Sequence, residues 1–315
     1  MINNISSYLK KYNSFAIVTH VNPDGDALGS SFALLRTLRF MGKKAECYFL
    51  TDIPDKYKFL ASGIDYKTEM PSNFDFDCTV CVDCATADRL GIYKSFLDKA
   101  FSLNIDHHIT NNKYADENLV IKAASCGEII FDIIKAAGVP FTSDISNALY
   151  TAIFTDTGRF SYEDTKPQTF LKAAEIASCG LDIPLITNEV YASRSFGATK
   201  MIAKIIDNIC LYGDGKIAFT HLFLSDMRDL GINASDCETA IDYAREIAGV
   251  EIAVFIREMD KNHYKVSLRS KKYANVAEIA SVFGGGGHIR AAGCALNGEF
   301  YDVRDKVLKL CEEYI

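Results

Sequence analysis

The sequence predicts an α/β protein: an N-terminal domain with a mainly parallel sheet flanked by helices, a linker helix, and a smaller C-terminal α/β domain. Three observations predict it. Short apolar runs alternate with helical periodicity through the first half, which is the grammar of strand–helix–strand crossovers. After about residue 210 the grammar turns β-rich. Between the two, residues of roughly 167 to 210 read as helical with few strong breaks.

The elements follow in order. "FAIVTH" (15–20) is a short apolar run and is followed by the turn-forming "VNPDGD". "ALGSSFALLRTLRFMG" (27–42) has helical spacing and stops in glycine. "AECYFL" (45–50), "DCTVCVD" (77–83) and "FSLNID" (101–106) read as further strands. "ASCGEIIFDIIKAAG" and "SDISNALYTAIFTDTG" read as two consecutive helices. These elements form a first domain over residues 1–195. "SFGATKMIAKIIDNICLYG" supplies a connecting helix over 196–212. In the second domain, 213–315, "KIAFTHLF", "EIAVFIREM" and "HYKVSLRS" are strands, with the helix-like "ASDCETAIDYAREIAG" between the first two.

Composition sets bounds. Hydrophobic residues make up 49% of the 315 residues and charged residues 24%, a globular mixture long enough for two domains. No apolar run reaches the roughly 18 residues of a membrane span. The first residues, "MINNISSYLKKYN", lack the basic-then-apolar pattern of a secretory leader, so a cytoplasmic protein with reduced, mostly buried cysteines is expected. "CTVCVDC", with Cys78, Cys81 and Cys84, has part of a metal-cluster spacing. It lacks a fourth cysteine at the expected distance and falls on a predicted buried strand, so core cysteines are the expectation. A net charge of −7 argues against binding a long duplex, which needs many cations against phosphate. It is compatible with a small anionic substrate held by a few groups or by metal ions.

Charged residues recur where the apolar runs end. His20 ends the first strand, and Asp24 and Asp26 lie in the turn after it. Asp83 ends the third strand, and Asp106, His107 and His108 end the fourth. Asp156 ends an apolar helix beside Thr155, Thr157 and Gly158. The carboxyl ends of strands in an open parallel sheet converge on one crevice, so these distant positions meet in space. Singly, each has a bland explanation: P-D-G-D is usually a solvated turn, and T-D-T-G stops a helix. Together, so many carboxylates would repel one another unless cations neutralise them. Imidazoles among the carboxylates suit a transition metal such as Mn²⁺ better than Ca²⁺ or Mg²⁺ alone. The count suffices for two ions sharing a carboxylate, a common arrangement for phosphoryl transfer.

"FGGGGHIRAAG" (283–293) is the second candidate element. Gly284, Gly285, Gly286 and Gly287 permit close backbone approach and exposed N–H groups, which suits an anion, and His288 and Arg290 follow them. Lys261, Lys265, Arg269, Lys271 and Lys272 precede the loop in a stretch without acids. A flexible loop beside a solvated strand is the bland alternative; binding of a substrate phosphate is the favoured one.

In order, "HVNPDGDALGS", "VDCATADRLG", "IDHHITN" and "TDTGRFSY", followed by "SLRSKKYANVAEIASVFGGGGHIRAAG", resemble the DHH–DHHA1 family of phosphoesterases over nearly the whole chain. The length is most similar to the small members, which act on short oligoribonucleotides and on 3′-phosphoadenosine-5′-phosphate. The resemblance implies that His20, Asp24 and Asp83 hold one Mn²⁺, and that Asp26, Asp83, His107 and Asp156 hold a second, with Mg²⁺ or Co²⁺ as alternatives. It implies that His108 meets the scissile phosphate, and that Asp83 and His108 are catalytic. It further implies that Asp106 orients the histidines, and that Arg269, Gly284–Gly287, His288 and Arg290 bind substrate phosphates and the terminal nucleotide. The expected activity is Mn²⁺-dependent hydrolysis of short oligoribonucleotides to 5′-mononucleotides and of 3′-phosphoadenosine-5′-phosphate to AMP, with a homodimer as the family's plausible assembly. A phosphodiesterase for cyclic or linear dinucleotides is an enzymatic alternative, and a non-catalytic nucleotide sensor a remote one.

Overall fold

The computed structural model describes residues 2–237 and 239–315. Met1, and Glu238 within the helix-like stretch of the second domain, lie outside the described residues. The chain divides into two compact units, one up to Ser193 and the other Arg194–Ile315.

In the first unit, five strands, β1 (Ser14–Val18), β2 (Lys44–Tyr48), β3 (Cys78–Val82), β4 (Phe101–Asp106) and β5 (Glu117–Val120), form one sheet in the order β2-β1-β3-β4-β5. Every pairing in it is parallel. The central strand β3 is buried along its whole length, which explains its unbroken run of apolar and small residues. Helices α1 (Ile2–Lys11), α2 (Gly25–Phe40), α3 (Cys126–Ala137) and α4 (Ser143–Asp156) share a core with the sheet. A second apolar cluster holds Ala16, Val18, Tyr48, Cys81, Tyr93 and Phe96. Helices α5 (Pro167–Ala177) and α6 (Ile183–Thr187) follow.

Two glycines fix how α2 packs. A β-carbon at Gly29 would stand 2.4 Å from the Ala148 carbonyl oxygen, and one at Gly25 would stand 2.4 Å from Thr155 Oγ1. Only glycine therefore lets the start of α2 lie against α4, and this brings the acidic turn beside the end of α4, where Asp156 sits.

The strand order has a switch point. β2 lies on one side of β1, whereas the chain continues on the other side through β3, β4 and β5. Loops at the carboxyl ends of β1 and β3 leave in opposite directions and open a crevice there.

The second unit begins with α7 (Phe196–Asp207). The helix expected to run to residue 212 stops at Asp207, with Asn208 as its cap, and Cys210–Tyr212 forms a strand, β6. That strand pairs antiparallel with β7 (Ile217–Leu222) across the Gly213–Gly215 turn. β8 (Ile252–Asp260), β9 (His263–Ser270), β10 (Gly286–His288) and β11 (Ala291–Asn297) complete a mixed sheet in the order β10-β11-β9-β8-β7-β6. Helices α8 (Leu224–Leu230) and α9 (Ala240–Arg245) belong with α7 to one cluster, and α10 (Val276–Val282) and α11 (Phe300–Glu312) to another. The helix-like stretch around residues 234–249 contains a short 3-10 helix, Ala234–Cys237, before α9.

No helix among the described residues is long and apolar enough to cross a membrane.

Candidate metal centre

The crevice at the β1/β3 switch point holds the acidic and imidazole side chains. Asp83 directly follows β3, and Asp106 ends β4 with His107 and His108 next. His20 lies two residues beyond β1. Asp24 caps α2, accepting the N–H groups of Asp26 and Ala27 at 3.1 Å each. Asp156 is the last residue of α4.

The side chains converge as three overlapping groups: His20, Asp24 and Asp83; Asp26, His107 and Asp156; and Asp83, His107 and His108. Within each group the ligating atoms lie within 4.8 Å of one another. His107 Nε2 stands 3.7 Å from Asp26 Oδ2, 3.5 Å from Asp83 Oδ1 and 3.4 Å from Asp156 Oδ2. His20 Nε2 is 3.7 Å from Asp83 Oδ2. These separations are long for hydrogen bonds. They are near the ~3.0–3.5 Å expected between two donors that each sit ~2.1 Å from a shared ion.

The His107 tautomer agrees with that function. His20 Nδ1 meets the Val21 carbonyl at 2.8 Å, and His107 Nδ1 meets the Ala123 carbonyl at 3.2 Å. The Ala123 carbonyl only accepts, so the His107 Nδ1 carries the proton and its Nε2 turns toward the carboxylates, whereas His20 Nδ1 stands between the Val21 carbonyl, which only accepts, and Arg89 Nη2 at 3.1 Å, which only donates. His108 differs. Its Nδ1 is 2.7 Å from Asp106 Oδ1, so the N–H donates to that carboxylate oxygen.

Charge balance points the same way. Asp83 is 2% exposed, and its Oδ1 is buried without a hydrogen-bond partner among the described residues. Burial alone would raise its pKa, but His20, His107 and His108 hold it at about 2. Asp26 is pushed well above the usual range by burial and then by Asp83 and Asp156. Burial, with Asp24 and Asp83, does the same to Asp156. His107 is raised: Asp26 and Asp83 outweigh the burial that would lower it. A crevice that disfavours the anionic forms of Asp26 and Asp156 in this way is short of positive charge, and its carboxylate and imidazole donors fit a metal ion.

The residues predicted for anion binding lie in the second unit. In the register of β10, β11 and β9, His288 faces Ala291, which faces Arg269. Directly opposed residues project to one side of a sheet, so His288 and Arg269 emerge on the same face. Gly286, Gly293 and Ser267 form the adjacent row on that face. The glycines are explained in part by packing. A β-carbon at Gly285 would stand 2.2 Å from the Gly293 carbonyl oxygen, and one at Gly287 2.5 Å from that of Ala291. The run is engaged internally: Gly284 donates to Ser281 and Gly285 to Ala280, and Gly286 and Gly287 lie in the β10–β11 pairing. Arg290 donates from Nη1 to the Ala274 carbonyl at 2.8 Å, which ties the hairpin turn to the loop before α10.

Several residues near the metal crevice were not singled out from sequence. Arg89 Nη2 lies 3.1 Å from His20 Nδ1, and its carbonyl accepts the Val21 N–H. Asn104, Asn111 and Tyr114 surround Asp106 and the Cys84 carbonyl. Arg89 and Asn111 stand inside "VDCATADRLG" and "IDHHITN", so their motifs held the only signal. The cysteines of "CTVCVDC" are buried, and among the described residues the clusters of metal-binding type contain none of them.

The comparisons agree with the geometry. The DHH family N-terminal domain matches residues 14–153 and the DHHA1 domain matches residues 214–315. The bifunctional oligoribonuclease and PAP phosphatase NrnA of Thermus thermophilus is 31% identical over 300 residues, covering 94% of this chain and 89% of that protein. The protein of the same name from Bacillus subtilis is 25% identical, covering 96% of each chain. The chain belongs to the DHH–DHHA1 family of phosphoesterases. Among solved structures, an exopolyphosphatase-related protein from Bacteroides fragilis shares the fold with a TM-score of 0.92 at 24% identity, covering 99% of this chain and 96% of that one. RecJ of Thermus thermophilus, in complex with Mn²⁺, has a TM-score of 0.60 at 14% identity, covering 99% of this chain and 54% of that one.

Proposed function

We propose that this chain is a metal-dependent phosphoesterase that hydrolyses short oligoribonucleotides to nucleoside 5′-monophosphates and removes the 3′-phosphate of 3′-phosphoadenosine-5′-phosphate. The observation that carries the reading is the convergence of His20, Asp24, Asp26, Asp83, His107 and Asp156 on one crevice, with His108 beside it. The names of the full-length relatives supply the substrate class.

His20, Asp24 and Asp83 would hold one Mn²⁺, and Asp26, Asp83, His107 and Asp156 a second, with Mg²⁺ or Co²⁺ as alternatives. Bound there, the ions supply Lewis acidity for the phosphoryl oxygens and lower the pKa of a bound water. The chain's own residues do the rest. Asp106 accepts the His108 Nδ1–H hydrogen bond, so His108 faces the substrate through Nε2, which in the doubly protonated ring donates to a phosphoryl oxygen. Arg269 and His288, on one face of the second sheet, bind substrate phosphate, with Gly286 beside His288 on that face offering a surface free of side chain. The ten cysteines fit a reducing compartment, the cytoplasm. The assembly is a homodimer in this reading, which light scattering of the purified chain checks.

A product assay with Mn²⁺ tests the function. A 5′-phosphorylated RNA dinucleotide, a longer RNA of about 24 nucleotides, 3′-phosphoadenosine-5′-phosphate and cyclic di-AMP are offered side by side. Mononucleotides from the dinucleotide and AMP from the bisphosphate support the reading. Preference for the cyclic compound would reassign the chain to dinucleotide turnover, and tight binding without turnover would make it a sensor.

A further inference from the structure

A polar network lies behind the metal crevice, and no ligand or catalytic role accounts for it. Asn104 is wholly buried on β4, two residues before Asp106 and so on the same side of the strand. Asn111 donates from Nδ2 to Asp106 Oδ2 at 2.6 Å and to Asn104 Oδ1 at 2.7 Å. Asn104 donates from Nδ2 to the Tyr114 hydroxyl at 3.0 Å and to the Cys84 carbonyl at 3.1 Å. The Tyr114 hydroxyl donates in turn to the same carbonyl at 3.1 Å.

Both ends of this network reach the site. At one end, Asp106 has one oxygen on His108 Nδ1 and the other on Asn111. Its carboxylate cannot turn without breaking a bond, so the His108 ring inherits a fixed orientation. At the other end, the Cys84 carbonyl belongs to the residue after Asp83. Asp83 has a left-handed backbone, φ 53°, which costs a residue with a β-carbon about 1–2 kcal/mol. Its N–H donates to the Ile105 carbonyl at 2.9 Å, and the donors on Cys84 grip the following peptide. The strained turn is therefore held from both sides, and the turn aims the Asp83 carboxylate into the crevice.

We infer that Asn104, Asn111 and Tyr114 are positioning residues that fix two groups at once: the Asp83 carboxylate through the Cys84 peptide, and the His108 imidazole through Asp106. The inference rests on the phosphoesterase reading for its catalytic consequence, but not for its geometry. A buried polar network whose members are all satisfied specifies one arrangement sharply, and that is what a centre built on strained backbone requires.

The test uses the full chain with ¹⁵N-labelled histidine and the variants Asn111→Ala and Tyr114→Phe. Imidazole nitrogen resonances are read without metal, Mn²⁺ affinity by calorimetry, and kcat and KM on the RNA dinucleotide. Asn111→Ala is expected to move the His108 resonances and to lower kcat about 10–100-fold, with KM changed less than about threefold. Tyr114→Phe, which deletes one oxygen and keeps the ring, is expected to weaken Mn²⁺ binding about 10-fold while leaving the His108 resonances in place. Should Asn111→Ala fail to fold, Tyr114→Phe decides alone. Variants that lower the melting temperature yet keep wild-type resonances, kcat and Mn²⁺ affinity would reduce the network to core packing and overturn the inference. If the wild type hydrolyses nothing, the phosphoesterase reading fails, and the resonances and calorimetry still decide the network.

Discussion

The carboxylate of Asp26 receives the backbone N–H of Cys126 at 2.6 Å, across a hundred residues of sequence. Its other oxygen receives the Gly127 N–H at 2.9 Å and the Ser30 hydroxyl at 3.0 Å. Asp26 therefore satisfies the first N–H groups of α3 while it faces His107. Asp24 has a separable structural duty, as the cap of α2. Asp26→Ala should lose both turnover and about 1–3 kcal/mol of stability. Asp24→Asn keeps an oxygen for the cap, so it should lose turnover at a stability cost below about 0.5 kcal/mol. Urea denaturation beside an activity assay checks the pair, and equal stability losses would contradict the distinction.

Asp83 combines a left-handed backbone with the most central carboxylate of the crevice. Asp83→Ala and Asp83→Gly should both abolish turnover. The glycine variant should be the more stable by about 1 kcal/mol, because it alone adopts this φ without strain. Undiminished Mn²⁺-dependent hydrolysis by either would refute the placement of the two ions.

Proton linkage gives a third expectation. Asp26 and Asp156 have pKa values raised above those of an unfolded chain. Above the unfolded value the metal-free folded state holds more protons than the unfolded one, so its stability falls as pH rises toward the raised values. Ions must displace those protons, so their binding strengthens over the same range. The rise in melting temperature on adding Mn²⁺ should be larger at about pH 8 than at about pH 5.5. A rise that does not change with pH would mean that these carboxylates do not take the metal.

The glycine loop separates packing from binding. Gly285→Ala must push the Gly293 carbonyl aside and should cost about 1–3 kcal/mol. A β-carbon at Gly286 meets nothing within 4 Å. Gly286→Ala should leave stability within about 0.5 kcal/mol while raising KM for the dinucleotide. An unchanged KM would remove Gly286 from the substrate surface.

The crevice was legible because its residues sit at the ends of apolar runs, and strand ends in a parallel sheet share one edge. Other features left no comparable trace. β5 is four residues at the sheet edge, with too few apolar positions for alternation to show. The end of α7 was overrun because Ile209, Cys210 and Leu211 continue an apolar pattern. The turn signal in "YGDGK" marks the hairpin that claims Cys210–Tyr212 instead. Asn104 and Tyr114 are ordinary in sequence, and their importance comes only from tertiary contact with one carbonyl. The glycine run suggests four open N–H groups, whereas capping of α10 takes those of Gly284 and Gly285, and Gly286 and Gly287 are drawn into the β10–β11 pairing.

The three cysteines of "CTVCVDC" have a use at the bench. Cys81 and Cys84 are fully buried, and burial lifts the Cys84 thiol to about 11. A thiol reagent can reach them only when the end of β3 opens, whereas the exposed Cys210 reacts at once. Labelling of Cys84 in the intact protein would therefore act as a clock for opening of the segment that carries Asp83, one residue away. Slower labelling with Mn²⁺ present would time how firmly the ions lock that segment shut.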